Sequence, residues 1–148
     1  MKKVIILRGV PGSGKSKYAL DITAGTDPYR ICSADQYFEH GGRYYFDPLK
    51  LSEAHNFCFG RFLEALLDGY SLIVVDNTNI HHWEYENYEK AAKLVGYKVE
   101  IVELQATTID EIKLCFDRNA HRVPRDVIAK MAVDFEHDER AKIIPVIK

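Results

Sequence analysis

The sequence predicts an α/β fold in which helices cover both faces of a doubly wound parallel sheet. Strand-like apolar segments alternate along the chain with segments of helical periodicity. The two clearest strands, 3–7 and 71–75, contain unbroken apolar runs, as expected for parallel strands covered on both faces. Polar residues follow several strands, where ligands bind in such sheets. With 148 residues, the chain is expected to form one domain over residues 1–148.

Periodicity and glycine stops predict the remaining elements in order. Further strands are expected at 29–33, 97–104 and 143–147, with a short helical turn at 34–39 and a glycine-rich loop at 40–43. Helices are expected at 17–22, 49–68, 83–95, 108–119 and 126–138. Gly69 and Gly96 end two of them, because glycine readily adopts the left-handed conformation of a helix stop. The last helix carries one apolar stripe that includes Ile128 and Phe135.

Composition and charge favour a soluble cytoplasmic protein. A net charge of -2 supplies no general positive field, so nucleic-acid binding would have to use a local patch. Cys32, Cys58 and Cys115 lie in apolar segments without metal-ligand spacing, and we expect them to be reduced core residues. No secretion signal and no apolar run of membrane-spanning length is recognisable, so we expect no membrane association.

A complete phosphate-binding motif, G-x-x-x-x-G-K-S, occupies residues 9–16 between the first strand and the first helix. Its glycines allow backbone N–H groups to surround phosphate oxygens at the positive end of the helix dipole. Lys15 is expected to reach the β- and γ-phosphates, and the Ser16 hydroxyl to coordinate Mg²⁺. The motif therefore predicts ATP as the bound nucleotide, held by Gly12, Ser13, Gly14, Lys15 and Ser16.

Two aspartates follow strands at the same predicted edge of the sheet. Asp35 is placed to accept a proton from an acceptor hydroxyl, although Ser33 and Gln36 also form a capping box in which Asp35 is a favourable first-turn residue. Asp76 is placed to hold Mg²⁺ or its water, with a helix cap as the alternative. Asn79 is able to supply that cap instead, and Thr78 and Asn79 either orient substrate or cap.

Arginines cluster near the break between the last two predicted helices. Arg118 and Arg122 are one helical turn apart and are expected to point the same way, as lid residues that close on ATP and act in catalysis. Alternatively, Arg118 and His121 only complement a helix C-terminus.

Other side chains admit two interpretations each. The stretch Arg43-Tyr44-Tyr45-Phe46 either stacks a base or packs on the domain, and His55 and Arg61 either line an acceptor site or are solvated. We expect His81 to start a helix, Trp83 to anchor the core, and the acidic residues 136–139 to form a solvated face.

With these residues assembled, the sequence resembles the polynucleotide 5′-kinase family of phosphate-loop (P-loop) phosphotransferases. The family's features occur in the family's order over roughly residues 4–131. They are residues 11–16, Asp35, Asp76 with Thr78-Asn79, and Arg118-Asn119 followed by Arg122-Val123-Pro124. The sequence is still more similar to small AAA-type ATP-binding proteins related to phage polynucleotide kinase. That group shares Leu7-Arg8-Gly9, Ala54-His55, residues 76–79, His81, Trp83 and Glu136-His137-Asp138.

The resemblance implies a P-loop NTPase fold with a helical lid, in which Asp35 activates a 5′-hydroxyl and Arg118 and Arg122 are the lid arginines. In phage-type kinases an arginine three residues after the catalytic aspartate grips the acceptor's 3′-phosphate, but Phe38 stands at that position here. The acceptor therefore either lacks a 3′-phosphate or is held by another residue, such as Arg43 or Arg61.

Together the residues and the resemblance predict an ATP- and Mg²⁺-dependent kinase that phosphorylates the 5′-hydroxyl end of a nucleic acid. A kinase for a nucleotide, nucleoside or other small metabolite is one alternative. The other is an ATPase module without a phosphate acceptor, for which an acceptor base such as Asp35 is less needed.

Overall fold

The computed structural model describes residues 2–146, and its centre is a five-stranded parallel sheet. In chain order the strands are β1 (Lys3–Arg8), β2 (Tyr29–Cys32), β3 (Glu39–His40), β4 (Arg43–Tyr44), β5 (Leu72–Asp76), β6 (Lys98–Gln105) and β7 (Lys142–Pro145). The central sheet has the order β2-β5-β1-β6-β7, and β3 pairs with β4 in a separate antiparallel hairpin. The predicted doubly wound parallel sheet is confirmed.

Within residues 2–146, five α-helices and three short 3₁₀ segments connect and cover these strands. The helices are α1 (Lys15–Thr23), α2 (Leu51–Asp68), α3 (Glu86–Leu94), α4 (Ile109–Arg118) and α5 (Arg125–Asp134). The 3₁₀ segments are Ala34–Phe38, Pro48–Lys50 and His82–Glu84. Among these helices, none combines the length and apolar character needed to cross a membrane.

The unbroken apolar run of β1 results from its central place in the sheet. Alternate residues point to opposite faces, so Val4 and Ile6 join the core beneath α2 and α3, while Ile5 and Leu7 join the core beneath α1. A third cluster, which includes Val10, Cys115 and Ile128, holds the α4–α5 hairpin against the loop after β1. All three cysteines are free and buried, as expected.

Several boundaries differ from the sequence predictions. The helix expected at 83–95 is divided, because a 3₁₀ turn precedes α3, and His81 is the residue that caps this turn. Trp83 was expected to anchor the core, but its side chain is 70% exposed. The last predicted strand ends at Pro145, and position 147 lies outside the described residues.

The helix expected to reach residue 138 ends at Asp134, because Phe135 has a non-helical backbone with φ -58° and ψ 119°. In the segment after the helix, Asp138 is buried, accepts a hydrogen bond from Tyr85 Oη at 2.8 Å and pairs with Arg140 at 2.9 Å. The Arg140 guanidinium holds the pKa of Asp138 well below its ordinary value. The expectation of a solvated face at 136–139 is therefore wrong for Asp138, although Glu136, His137 and Glu139 are exposed.

Candidate active site

The predicted phosphate-binding loop joins β1 to α1 in a conformation that requires glycine. Gly12 and Gly14 have φ values of 78° and 103°, in the left-handed region that side chains disfavour. A Cβ at Gly12 would overlap the carbonyl oxygen of Cys115, and one at Gly9 would lie 2.8 Å from the carbonyl oxygen of Leu104. The loop is thus packed closely between α4 and β6, which fixes its path.

The Lys15 side chain lies inside the loop, with only 8% of the residue exposed. Its Nζ donates to the Val10 carbonyl oxygen at 3.1 Å. Burial lowers the pKa of Lys15, and the carboxylates of Asp76 and Asp35 oppose that shift. The lysine ammonium, the predicted metal ligand Asp76 and the predicted acceptor base Asp35 therefore share one electrostatic environment.

The two predicted metal ligands are in direct contact. Ser16 Oγ donates to Asp76 Oδ2 at 2.9 Å, and Asp76 is the buried last residue of β5, opposite Leu7 of β1. Hydroxyl and carboxylate oxygens are the protein ligands that Mg²⁺ accepts in P-loop sites. This pair is where Mg²⁺ would be held.

Two unpartnered polar atoms beside the loop fit a phosphate ligand. Among the described residues, Ser13 Oγ and Arg118 Nη2 are buried without a hydrogen-bond partner. Arg118 also donates from Nε to the Gly12 carbonyl oxygen at 2.6 Å, which fixes its guanidinium against the loop. Buried donors usually have partners, and phosphate oxygens would supply acceptors for both.

Asp35 combines the capping geometry with a carboxylate directed away from the cap. Ser33 and Gln36 form the complete capping box, so the structural alternative considered for this segment is present. The cap uses the Asp35 backbone N–H, which donates to Ser33 Oγ at 3.2 Å. The Asp35 side chain instead accepts from Tyr44 Oη at 2.9 Å and lies 3.3 Å from Nδ1 of His121. Capping therefore leaves this carboxylate available for another role.

Asn77, which sequence reasoning did not single out, connects the two acidic sites. Its Oδ1 accepts from the Ala34 backbone N–H at 2.9 Å, so the end of β5 is tied to the segment that carries Asp35. The only signal in the sequence is its position directly after Asp76 in a polar run. That signal was not sufficient, because the partner is 43 residues away in the chain.

The structure separates the two predicted lid arginines. Helix α4 ends at Arg118, whereas Arg122 lies in the following turn with φ 55° and is exposed. Helical spacing does not relate this pair, because the helix does not continue to Arg122, and a shared lid role for the two arginines stays a prediction. Arg118 contacts the phosphate-binding loop, and Arg125 lies over the Phe116 ring at 5.8 Å.

Phe38 stands where related kinases carry the arginine that grips the acceptor, and Arg43 and Arg61 were the candidates to replace it. Among the described residues, neither arginine contacts Asp35. Arg61 donates to Gln36 Oε1 and to the Ile31 carbonyl oxygen, and thereby supports the 3₁₀ segment. Arg43 is exposed on the hairpin. Phe38 is buried and packs against Tyr44, with ring centroids 6.0 Å apart.

A buried ion pair supports the segment that follows Asp76. Arg8 and Glu103 are both fully buried and 2.6 Å apart. Arg8 also donates to the carbonyl oxygens of Asn79 at 2.7 Å and Ile80 at 2.9 Å. Asn79 is itself buried, with φ 47°, and its amide donates to Leu7. The sequence offered Asn79 as a cap for the next helix. Its side chain is instead bound to β1 through this hydrogen bond.

Comparison with known proteins places this loop and sheet in a family. A family model described as "AAA domain" matches residues 4–141. The chain belongs to this AAA domain family. Human NEDD4-binding protein 2 is 35% identical over 144 residues, which are 97% of this chain but 8% of that protein. The chain thus spans less than a tenth of this curated relative.

Among solved structures, this AAA domain resembles P-loop kinases. One neighbour is a chain in the structure of the Pnkp1/Rnl/Hen1 RNA repair complex, with TM-score 0.69 and 17% identity over 90% of this chain and 44% of that one. Another is a gluconokinase from Sinorhizobium meliloti 1021, with TM-score 0.64 and 17% identity over 99% of this chain and 83% of that one. At this identity the likeness shows a shared fold, a parallel sheet flanked by helices as in P-loop kinases.

Proposed function

We propose that this domain is an ATP- and Mg²⁺-dependent kinase that transfers the γ-phosphoryl group to the 5′-hydroxyl end of a polynucleotide. The observation that carries the proposal is the convergence on one site of Lys15, the Ser16–Asp76 pair and the Asp35 carboxylate. This set contains a phosphate clamp, metal ligands and an acceptor base, which are the parts that phosphoryl transfer requires.

Each residue has a distinct role in this reaction. The loop and Lys15 would hold the β- and γ-phosphates, and Ser16 and Asp76 would hold Mg²⁺, which would neutralise the phosphate charge. The acceptor oxygen bonds to the γ-phosphorus as the bond from that phosphorus to the β,γ-bridging oxygen breaks. Asp35 takes the hydroxyl proton, and the products are ADP and a 5′-phosphate. Arg118, and Arg122 from the adjacent turn, stabilise charge on the transferring group.

The polynucleotide acceptor is supported by the order of motifs along the chain, which is that of the polynucleotide 5′-kinases. A kinase for a small metabolite remains a second candidate, and one specific observation favours it. Phe38 is buried at the position where those kinases carry the arginine that grips the acceptor's phosphate. The local site therefore has no phosphate grip of that kind.

Transfer from ATP labelled at the γ-position tests these assignments. The acceptors are 5′-hydroxyl DNA, 5′-hydroxyl RNA, nucleosides and sugars, with a sample that lacks any acceptor. We expect label on an oligonucleotide and little release of phosphate without acceptor. A nucleoside or sugar labelled as efficiently as an oligonucleotide contradicts the polynucleotide proposal, and hydrolysis with no labelled acceptor indicates an ATPase module.

A further inference from the structure

Two aromatic rings outside the predicted catalytic set converge on Asp35. Tyr44, at the end of the β3–β4 hairpin, donates from Oη to Asp35 Oδ1 at 2.9 Å. His121, in the turn between α4 and α5, has Nδ1 3.3 Å from Asp35 Oδ2. The imidazole also stacks on the Tyr44 ring, with centroids 3.9 Å apart and planes 12° apart. Both carboxylate oxygens and one face of Tyr44 are therefore in contact with neighbouring side chains.

The two rings differ in how firmly they are held. Tyr44 is half-buried and packs edge-on against the buried Phe38. Burial and the Asp35 carboxylate raise the pKa of Tyr44, so its hydroxyl stays protonated and donates to that carboxylate at neutral pH. The His121 side chain is 33% exposed and lies in the turn between α4 and α5, beside Arg122 in the left-handed conformation. Because His121 belongs to a turn and not to a helix or strand, it is the ring that we expect to move aside.

We propose that Tyr44 determines acceptor specificity. Its hydroxyl positions Asp35, and its ring, which His121 covers in this structure, stacks on the terminal nucleobase of the acceptor. This inference rests on the proposed kinase function. The imidazole is a flat nitrogen heterocycle in a parallel stack, and a nucleobase offers the same kind of surface to an aromatic ring. The terminal nucleobase of the acceptor would replace His121 on Tyr44 when the turn between α4 and α5 moves.

The surroundings favour a stacked base over a bound phosphate beside Asp35. The Asp35 carboxylate itself repels an anionic group. Its negative charge also acts on Lys15, whose pKa it raises against the lowering effect of burial. Phe38 supplies no charge, and Arg61 is engaged by the Gln36 side chain. The hairpin therefore presents aromatic surface where a phosphate-gripping kinase presents an arginine.

A pair of matched acceptors tests the subsite. One is a 5′-hydroxyl oligonucleotide, and the other is identical except that its 5′-terminal residue is abasic, so that the hydroxyl and the phosphates are kept. For the unaltered protein we expect kcat/KM at least about tenfold higher on the acceptor that carries the base. Tyr44→Leu removes the ring and should abolish this preference. Tyr44→Phe keeps the ring but loses the hydrogen bond to Asp35, so it should keep the preference and lower kcat on both acceptors.

Two further variants complete the design. Tyr45→Leu is the matched control, because Tyr45 is the exposed neighbour whose ring lies 6.2 Å from His40, and it should keep the preference. His121→Ala removes the ring that covers Tyr44 and should lower KM for the acceptor that carries the base, with little effect on the abasic one. Circular dichroism of each variant checks folding, and His121→Ala and Tyr44→Phe still test the idea if Tyr44→Leu does not fold.

Two results overturn the inference in distinguishable ways. A base preference that persists in Tyr44→Leu, or that is absent from the unaltered protein, refutes the stacking subsite while phosphate transfer itself stands. Absence of transfer to both oligonucleotides refutes the proposed function, and the subsite with it.

Discussion

At the residue scale, substitution of Lys15 tests the assignment of the donor site separately from that of the acceptor site. Lys15→Ala should reduce turnover by more than about a hundredfold, because the ammonium stabilises charge on the phosphates in the transition state as well as in bound ATP. The protein should still fold, since removing a buried ammonium also removes its desolvation cost. Lys17→Ala is the control, as Lys17 is exposed and pairs with Asp21 at 3.2 Å on the surface of α1. Initial rates within about tenfold of the unaltered protein for Lys15→Ala would refute the donor-site assignment.

Asp35 and Ser33 separate catalysis from capping within one short segment. Asp35→Asn should keep ATP affinity and lose transfer to the acceptor, because an amide preserves shape but takes no proton. Ser33→Ala removes the capping oxygen and should lower the free energy of unfolding by about 1 kcal/mol while transfer continues. Titration with ATP, rate measurements and denaturant unfolding of both variants distinguish the two roles. Normal transfer by Asp35→Asn would leave that residue with a structural role alone.

At the element scale, the α4–α5 hairpin brings Arg118 to the phosphate-binding loop and His121 to Asp35, three residues apart in the chain. The end of α4 and the turn that follows it therefore contact both the phosphate-binding loop and the Asp35 carboxylate. If the hairpin acts as a lid, its movement changes both contacts together, and closure would align donor and acceptor in one step.

Arg122 tests the lid, since it is exposed in the turn and contacts neither site in the described structure. Arg122→Ala should lower kcat by roughly a hundredfold while changing ATP affinity much less, because its charge acts only in the closed state. Arg125→Ala, which removes a guanidinium stacked on Phe116, is the comparison within the same hairpin. Unchanged kcat and KM in Arg122→Ala would exclude a lid role for this residue.

At the scale of the whole molecule, the Arg8–Glu103 pair joins the central strands to the loop after β5 and to the segment after α5. Glu103 Oε2 accepts from Arg8 at 2.6 Å and from the Asp138 backbone N–H at 2.7 Å. The Arg8 guanidinium also lies 4.6 Å from the ring centroids of both Tyr85 and Phe135. Residues far apart in sequence thus share one buried charge network behind the site.

Substitution of two glutamates of β6 tests how much that network contributes to the free energy of unfolding. Glu103→Ala leaves the Arg8 charge buried and unpaired, and should lower the free energy of unfolding by about 3–5 kcal/mol. Glu100→Ala removes the partner of Lys3, whose pair is partly exposed, and should cost about 0–1 kcal/mol. Urea unfolding of both variants gives the comparison. Equal losses would show that Glu103 does not compensate a buried charge.

The sequence by itself determined the sheet, the phosphate-binding loop and the acidic residues at the ends of β2 and β5. These features depend on local signals: apolar runs, glycine positions and polar residues directly after strands. Alternation of strands and helices then implies the parallel order and the common edge. The contact between Ser16 and Asp76 is the direct consequence of that order.

Only the tertiary structure decided the partners of side chains from distant segments. The Tyr44–Asp35–His121 cluster, the Asn77 link and the Arg8–Glu103 pair each join residues whose proximity no local pattern encodes. The same reason explains the error at Asp138. A polar residue at helical spacing is predicted to be solvated, but burial of Asp138 against Tyr85 depends on packing against the rest of the fold. The helical alignment of Arg118 with Arg122 fails for a local reason, because Arg122 lies beyond the end of α4 with a positive φ.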